Sequence, residues 1–404
     1  MKIAAHYDHS PVTGYGRMSA EIVAAIKRAG VEVVDAPDPT VENVLFMTPP
    51  HRPDGWYKGQ RTTILTMWET TELAFEHNAG VPNYDTVIVP SKANYELFSK
   101  VNPNTHFVPL GCDYDQWAPV KREYSDPFTI ITSGQGGRRK GIDISIRVFK
   151  RFREIIKGRG FPSPRLLIKS VVHLENPDPG ILVFDSPMSV DEELDFYKSG
   201  HVYLGLSRGE GWGMIPHQTI AQGMPTILSN AHGHASFARF GLGVDCGWME
   251  AENGVWGRNG NWWAPDEDQA LEHLLDVFEN YSKHSEAAMI NANAIRSIFT
   301  WDRTAEEILK LMTSSPDFKA GEWYECPQRY LNLRVNRICE ATIGGAYHKF
   351  IPGEDYDVTA DVKRVMYDAG YVDESCLDPA EKGFLERTSA GKMFIDKDLL
   401  GYTT

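Results

Sequence analysis

Short apolar runs alternate with amphipathic stretches along most of the chain. In the first third, KIAAHY (2–7), VEVV (31–34), NVLFM (43–47), TILTM (63–67), TVIVP (86–90) and HFVPL (106–110) read as strands, and SAEIVAAIKRAG (19–30) reads as an amphipathic helix closing on Gly30. Strand-like runs interleaved with helical ones are the signature of a parallel sheet flanked by helices. The segment 111–127, GCDYDQWAPVKREYSDP, is polar and punctuated by Pro119 and Pro127, which marks a linker. The alternation then starts again. Strands are expected at FTIITSG (128–134), RLLIKSV (165–171), ILVFD (181–185) and VYLGLS (202–207), with helices at 142–160 and 190–200. Two further helices (268–284 and 285–299) and a last one (301–312) close the main body. From about Ser314 the composition turns rich in Pro, Gly and Tyr, with one short helix expected over 359–370. The pattern predicts an α/β chain with two doubly wound Rossmann-like units: an N-terminal domain over 1–120, a second over 121–300, a closing helix at 301–316 and an extension at 317–404.

The most chemically loaded stretch is LGLSRGEGWGMIPHQTIAQGMPTIL (204–228). An apolar run ends in the glycine-rich GEGWG, a helix opens near Ile215-Pro216, and Gly223-Met224-Pro225 stops it. A glycine loop entering a helix offers unpaired N–H groups and a positive dipole end, which suit a phosphate or a sugar hydroxyl. Glu210 sits among them as a carboxylate able to meet positive charge. The most basic run, Arg138-Arg139-Lys140, also precedes a helix.

Composition narrows the classes. Hydrophobic residues make up 42% of 404, yet no apolar run is long enough to span a bilayer, and the N-terminus lacks a signal-peptide pattern, so a soluble cytoplasmic protein is expected. A net charge of -14 disfavours wholesale binding to nucleic acid. Five scattered cysteines without CxxC spacing indicate neither a disulfide framework nor a zinc site.

Three segments in order, GCDYDQWAP, SGQGGRRKGIDISIRVF and GEGWGMIPHQTIAQGMPTI, resemble the family 4 glycosyltransferases of the GT-B fold. The resemblance covers roughly Met1 to Met312. It implies two Rossmann-like domains across a cleft, transfer of a sugar from a nucleotide donor with retention at the anomeric carbon, no metal and no required cofactor, with a UDP- or GDP-sugar as the donor. It also places roles. Lys140 matches the family's phosphate lysine, with Arg139 and Gly134 in the same loop, and Glu210 matches the first carboxylate of the acidic motif, at the reaction centre. Gln135 stands where the family has an arginine, and Gln218 where its second carboxylate binds ribose. The backbone of Gly211, Trp212, Gly213 and Met214 would hold donor oxygens. Gly14 and Gly16, in the loop after the first strand, are placed where the fold brings backbone close to the donor, or else serve a tight turn. After the strand TILTM the family often has an acceptor-side histidine; this chain has Trp68-Glu69-Thr70-Thr71 there, and Glu69 is the candidate for that role as base or hydrogen-bond acceptor. Trp68 is either a sugar platform or core, and Ser91 and Lys92 lie at a carboxyl end of the first sheet. His232 and His234 follow a strand toward the cleft, although single histidines in loops are usually structural.

The two glutamines leave two other readings open: a binding module that has lost turnover, and an epimerase or phosphorylase of the same fold. The tail segment GEDYDVTADVKRVMYDAGYV resembles short stretches of bacteriophage structural proteins. It suggests a phage-encoded transferase acting in the host cytoplasm on a virion protein or a modified base. Protein, glycan and modified nucleic acid all remain open as acceptors, and the oligomeric state is not set by the sequence.

Overall fold

The structure is a computed structural model that describes residues 1–10, 13–49, 56–134, 138–170, 174, 178–251 and 260–312, together with the backbone of short strands in the tail. The N-terminal half contains β1 (Lys2–Tyr7), α1 (Gly14–Arg28), β2 (Glu32–Asp35), β3 (Asn43–Met47), β4 (Trp56–Tyr57), β5 (Arg61–Leu65), α2 (Phe75–Gly80), β6 (Thr86–Val89), α3 (Lys92–Phe98) and β7 (Thr105–Phe107). Six of its strands pair in the order β2-β1-β3-β5-β6-β7, all parallel. β3 and β6 are buried along their whole length, which is why their sequences read as unbroken apolar runs.

The C-terminal half repeats the plan with β8 (Thr129–Ser133), α4 (Ile142–Gly158), β9 (Arg165–Lys169), β10 (Ile181–Phe184), α5 (Val190–Lys198), β11 (Val202–Gly205), α6 (Met214–Ala221), β12 (Thr226–Ser229) and β13 (Leu242–Val244). Its sheet runs β10-β9-β8-β11-β12-β13, again all parallel. The strand order reverses between β8 and β11, and the loops leaving their carboxyl ends therefore diverge and open a crevice. Both basic and acidic motifs leave from these two strands.

An antiparallel hairpin, β14 (Cys246–Glu250) with β15 (Asn261–Pro265), follows β13 in a stretch to which the apolar pattern assigned no strand. Helices α7 (Glu267–Glu279) and α8 (Tyr281–Arg296) meet at Asn280, earlier in the chain than the pattern suggested. Helix α9 (Trp301–Leu311) returns to the first half: Asp302 pairs with Arg28 of α1 at 2.7 Å, and Thr304 Oγ1 donates to the Pro109 carbonyl at 2.8 Å. Gly111 permits this, since a Cβ there would stand 2.1 Å from the Trp301 nitrogen. Apolar packing is continuous between the halves. Trp117, from the linker, meets Tyr197 of α5 at 5.4 Å between ring centroids, in a cluster reaching from Ile3 and Ile22 to Tyr203 and Trp212. Each such fully buried large side chain contributes about 1.5–3 kcal/mol relative to exposure.

In the tail, β16 (Trp323–Tyr324) pairs with β4, β17 (Leu331–Arg334) with β20 (Asp355–Val358), and β18 (Cys339–Ile343) with β19 (Ala346–Phe350), all antiparallel. The helix expected over 359–370 lies outside the described residues. Among the described residues no helix is long and apolar enough to cross a membrane.

Candidate active site

The two loops leaving β8 and β11 are bonded into one unit. Arg138–Lys140 forms a single 3-10 turn ahead of α4. Gly141 caps α4 in the left-handed region, φ +70°, and a Cβ on it would lie 1.8 Å from the Leu206 carbonyl oxygen, so no larger residue lets the loops touch. The Arg139 carbonyl accepts from the Arg208 backbone N–H at 2.7 Å and from Ser207 Oγ at 3.1 Å. The buried Arg208 guanidinium donates through both terminal nitrogens to Asp143 on α4, at 2.7 Å each, and also to the Arg138 carbonyl. A two-pronged pair of this kind fixes direction as well as distance. Ser207 and Arg208 thus hold the basic turn in place; their position beside Gly209-Glu210 was the only sequence hint of it.

On this frame the charges converge. Lys140 Nζ donates to Glu210 Oε1 at 2.7 Å, and Ser207 Oγ, whose single proton serves either this oxygen or the Arg139 carbonyl, lies 3.1 Å from it. Arg139 Nη1 donates to the Gly209 carbonyl at 2.6 Å and stands 3.7 Å from Glu210 Oε2. Burial by itself would raise the Glu210 carboxyl, but Lys140 and Arg139 together outweigh it and hold the group well below the usual carboxylate range. The opposite balance acts on Arg139, where burial would lower the guanidinium but Glu69 and Glu210 raise it. The carboxylate is ionised and both cations face one point, an arrangement suited to an anionic leaving group beside a centre that becomes positive.

Helix α6 opens directly after Glu210. Gly213, φ +97°, is its cap, and the N–H groups of Met214 and Ile215 begin the helix without intrahelical acceptors. Gly211 lets the loop run against Met67 of the other half, where a Cβ would meet the Met67 side chain at 2.4 Å. Trp212 is 1% exposed, and its indole N–H donates to His217 Nδ1 at 3.2 Å, while His217 Nε2 meets the Tyr114 hydroxyl at 3.1 Å. The Trp212 ring is therefore core, and only its backbone can face a ligand. Burial pushes His217 down to about 3, so it is neutral. Gln218 is buried with its side-chain Oε1 unpartnered, an acceptor left open on α6.

The opposing rim differs from its sequence reading. Gly14 and Gly16 are not in a loop but in the first turn of α1, capped by Thr13, whose Oγ1 accepts from the Gly16 N–H at 2.9 Å. Neither adopts a positive φ. A Cβ on Gly16 would lie 1.9 Å from the Ser10 carbonyl oxygen, so this glycine serves local packing, while nothing lies within 4 Å of the Gly14 Cβ position. Trp68 is 6% exposed, with its indole N–H bonded to Thr70 Oγ1 and the Glu72 carbonyl and its ring against His77; the structure assigns it to the core, not to a platform. Ser91 is fully buried as the cap of α3, and Lys92 is an exposed side chain near Glu96. Glu69 alone of the acceptor-side candidates reaches the charged cluster, with Oε1 3.6 Å from Arg139 Nη1. The halves are closed tightly at this point: a Cβ on Gly209 would lie 2.1 Å from the Glu69 carbonyl oxygen, and Thr71 exchanges hydrogen bonds with Asn261. Gln135 lies outside the described residues, whereas Gly134 packs under Lys140.

No family model matches the chain. A mannosylfructose-phosphate synthase of Agrobacterium fabrum is 21% identical over 316 residues, covering 68% of this chain and 65% of that one, so the chain spans less than two thirds of that relative. Among solved structures, WaaG, a glycosyltransferase involved in lipopolysaccharide biosynthesis, superposes with a TM-score of 0.54 at 11% identity over 78% of this chain and all of its own. HepE of Anabaena, in complex with UDP-glucose, gives 0.51 at 12% identity over 76% of this chain and 98% of its own. The chain has the GT-B fold.

In this GT-B frame the second Rossmann-like unit carries the Lys140–Glu210 cluster at its strand-order reversal, and the first unit faces it with Glu69. Among the described residues no group of three or more His, Cys, Asp or Glu side chains is arranged to hold a metal ion.

Proposed function

We propose that the protein is a glycosyltransferase that moves a sugar from a nucleotide-sugar donor to an acceptor hydroxyl, with retention at the anomeric carbon and without a metal. The observation that carries this is the meeting of Lys140, Arg139 and Glu210 where the second sheet reverses its strand order, next to the open N-terminus of α6. Lys140 and Arg139 neutralise the diphosphate, and the α6 backbone N–H groups receive donor oxygens. Glu210 stabilises the anomeric carbon as positive charge develops there. The bond between that carbon and the diphosphate oxygen breaks with its electrons leaving on the diphosphate. The acceptor oxygen bonds to the carbon from the same face, and its proton passes to the departing oxygen. A diphosphate arriving at Lys140 competes with its present bond to Glu210, which frees the carboxylate for the sugar.

A UDP-sugar is the first donor to test, because HepE holds UDP-glucose on the same fold; GDP-sugars come next. For the acceptor, a phage macromolecule recognised through 317–404 extends the proposal on the tail's sequence alone. Removing 319–404 is then expected to impair acceptor use and spare donor hydrolysis.

The deciding experiment combines thermal shift with a panel of UDP- and GDP-sugars and product analysis by NMR. Binding at a hundredfold excess over Kd should stabilise the fold by about 2.7 kcal/mol, and donor hydrolysis or transfer should follow with the anomeric configuration kept. Absence of binding and turnover with every donor overturns the proposal; an epimerised or phosphorolysed product would redirect it.

A further inference from the structure

Two buried histidines stand behind Glu210, in the turn His232–Ser236 that follows β12. His232 takes a positive φ of 43°, the only non-glycine among the described residues to do so, and its Nε2 lies 3.1 Å from the Ser207 carbonyl. A positive φ away from glycine is a strained choice that surrounding structure must enforce. Here it is enforced by packing: the Gly233 N–H donates to the Glu210 carbonyl at 2.9 Å, and a Cβ on Gly233 would lie 2.5 Å from the Gly211 carbonyl oxygen. The strain delivers the next residue. His234 is 1% exposed, with its ring 4.4 Å from that of His232.

The His234 ring points at the start of α6. A Cβ on Gly213 would stand 2.4 Å from His234 Nε2 and 2.3 Å from its Cδ2, so the imidazole edge occupies the space beside the helix cap. Neither ring nitrogen makes a hydrogen bond of good geometry; the Ser229 backbone lies close enough to one side of the ring to favour its protonated form, which leaves the other nitrogen bare. A buried imidazole without a well-formed hydrogen bond is costly, and such a group calls for a partner. Burial holds the ring in its neutral form, with one N–H donor and one bare acceptor.

That pair of properties selects among ligand groups. A phosphate oxygen is an acceptor only: it can satisfy the N–H nitrogen but offers nothing to the bare one. A sugar hydroxyl both donates and accepts, and it matches a neutral imidazole at either nitrogen. We propose that His234 is a sugar-recognition residue of the donor subsite, binding a hydroxyl of the transferred sugar at the N-terminus of α6, across from Glu210. The assignment presupposes the nucleotide-sugar donor proposed above. It separates the work of the site into diphosphate binding by Lys140 and Arg139 and sugar discrimination by His234.

The test is calorimetric titration of the full chain with whichever UDP- or GDP-sugar binds best, and with the matching free nucleoside diphosphate. Wild type is compared with His234→Phe, which keeps a flat ring, somewhat larger, and removes both nitrogens, and with His234→Gln, which restores a donor and an acceptor. The Phe variant is expected to bind the nucleotide sugar about tenfold more weakly, to bind the free diphosphate within about threefold of wild type, and to unfold at the same or a higher temperature without ligand. Partial recovery of sugar-nucleotide binding is expected in the Gln variant. Equal losses for sugar nucleotide and free diphosphate, or no loss for either, overturn the assignment while leaving the donor reading intact. A purely structural histidine would instead give a lower unfolding temperature in the Phe variant and no sugar-specific effect. Failure of wild type to bind any nucleotide sugar removes the donor reading, and this assignment with it.

Discussion

Two parallel six-stranded sheets face one cleft, and its charge is mounted almost entirely on one of them. The rim of the second half carries Arg139, Lys140 and Glu210, locked by Ser207, Arg208 and Asp143 into a network with several backbone carbonyls. From the first half the network receives Glu69. The first half also sends Arg17 of α1 to the buried Glu193 of α5 at 3.0 Å, while the Tyr15 hydroxyl bridges Thr66 Oγ1 and the Met67 backbone at 3.1–3.4 Å. On the proposed function the difference follows from what each half would do. Charges that stabilise a transition state act best when held in advance, because they then need no reorganisation at the moment of reaction. A loop stapled by glycines and a buried arginine provides that. A rim with fewer charges, held in cross-half pairs, can instead adapt to an acceptor, at the cost of saying little about which one.

The sharpest way to break this comparison is to remove charge from the rigid rim. Glu210→Gln is expected to lower kcat by about a thousandfold, on the order of 4 kcal/mol of transition-state stabilisation, with a smaller effect on donor affinity. Lys140→Ala should cost about a hundredfold in kcat/KM, with a weakened grip on the free nucleoside diphosphate. Steady-state kinetics with the best donor checks both. If Glu210→Gln retains more than a tenth of wild-type turnover, the chemistry is not organised by this rim.

Acid should also find the second half first. His217 and His232 are held down to about 3 and about 4 by burial, against an ordinary value of 6.5, and His234 is held well below that value. As pH falls through 6.5 the unfolded chain takes up protons that the native state refuses, so stability drops from about pH 6.5 down toward pH 4. Each such histidine removes about 1.4 kcal/mol per pH unit, or about 2 kcal/mol by pH 5. Urea unfolding measured from pH 7.5 to pH 4.5 should show this slope. His217→Phe should flatten it by about one proton, even though it costs stability at neutral pH by unpairing the Trp212 indole and removing one of the Tyr114 hydroxyl's two partners. An unchanged slope in that variant would mean that His217 is not held neutral by the fold.

The sequence showed the sheets plainly because strands such as NVLFM and TVIVP are buried on both faces and leave no periodicity to misread. It also located the start of α6 to within a residue, since Gly213 and Pro216 punctuate that turn from within. What it concealed was decided by contacts distant in the chain. Trp68 follows a strand toward the cleft, as a platform would, but Asn94 and His77 draw it inward. Gly14 and Gly16 look like a loop until Thr13 caps them into a helix. His232 and His234 are ordinary loop histidines until Glu210 and the glycines Gly211 and Gly213 close around their turn. The β14–β15 hairpin hides because its tryptophans sit in a composition that suggests a loop.

Glu69 is the point where the comparison can be sharpened from the weaker side. Its sequence position suggests an acceptor base, yet its carboxylate stands 3.6 Å from Arg139, about a third exposed, which makes it a strut between the halves. Ion pairs of that exposure are worth at most about 1 kcal/mol. Glu69→Gln is therefore expected to raise the donor KM by no more than about fivefold and to leave kcat nearly unchanged, because the amide still bridges to Arg139 without the charge. A general base would behave otherwise: its loss removes proton transfer from the transition state, costs about a hundredfold or more in kcat, and abolishes the acidic limb of the pH–rate profile. Measuring kcat and KM separately for this variant, with and without acceptor, decides between strut and base. A large fall in kcat confined to acceptor transfer, with donor hydrolysis intact, would return chemistry to the first half and remove the asymmetry between the two rims.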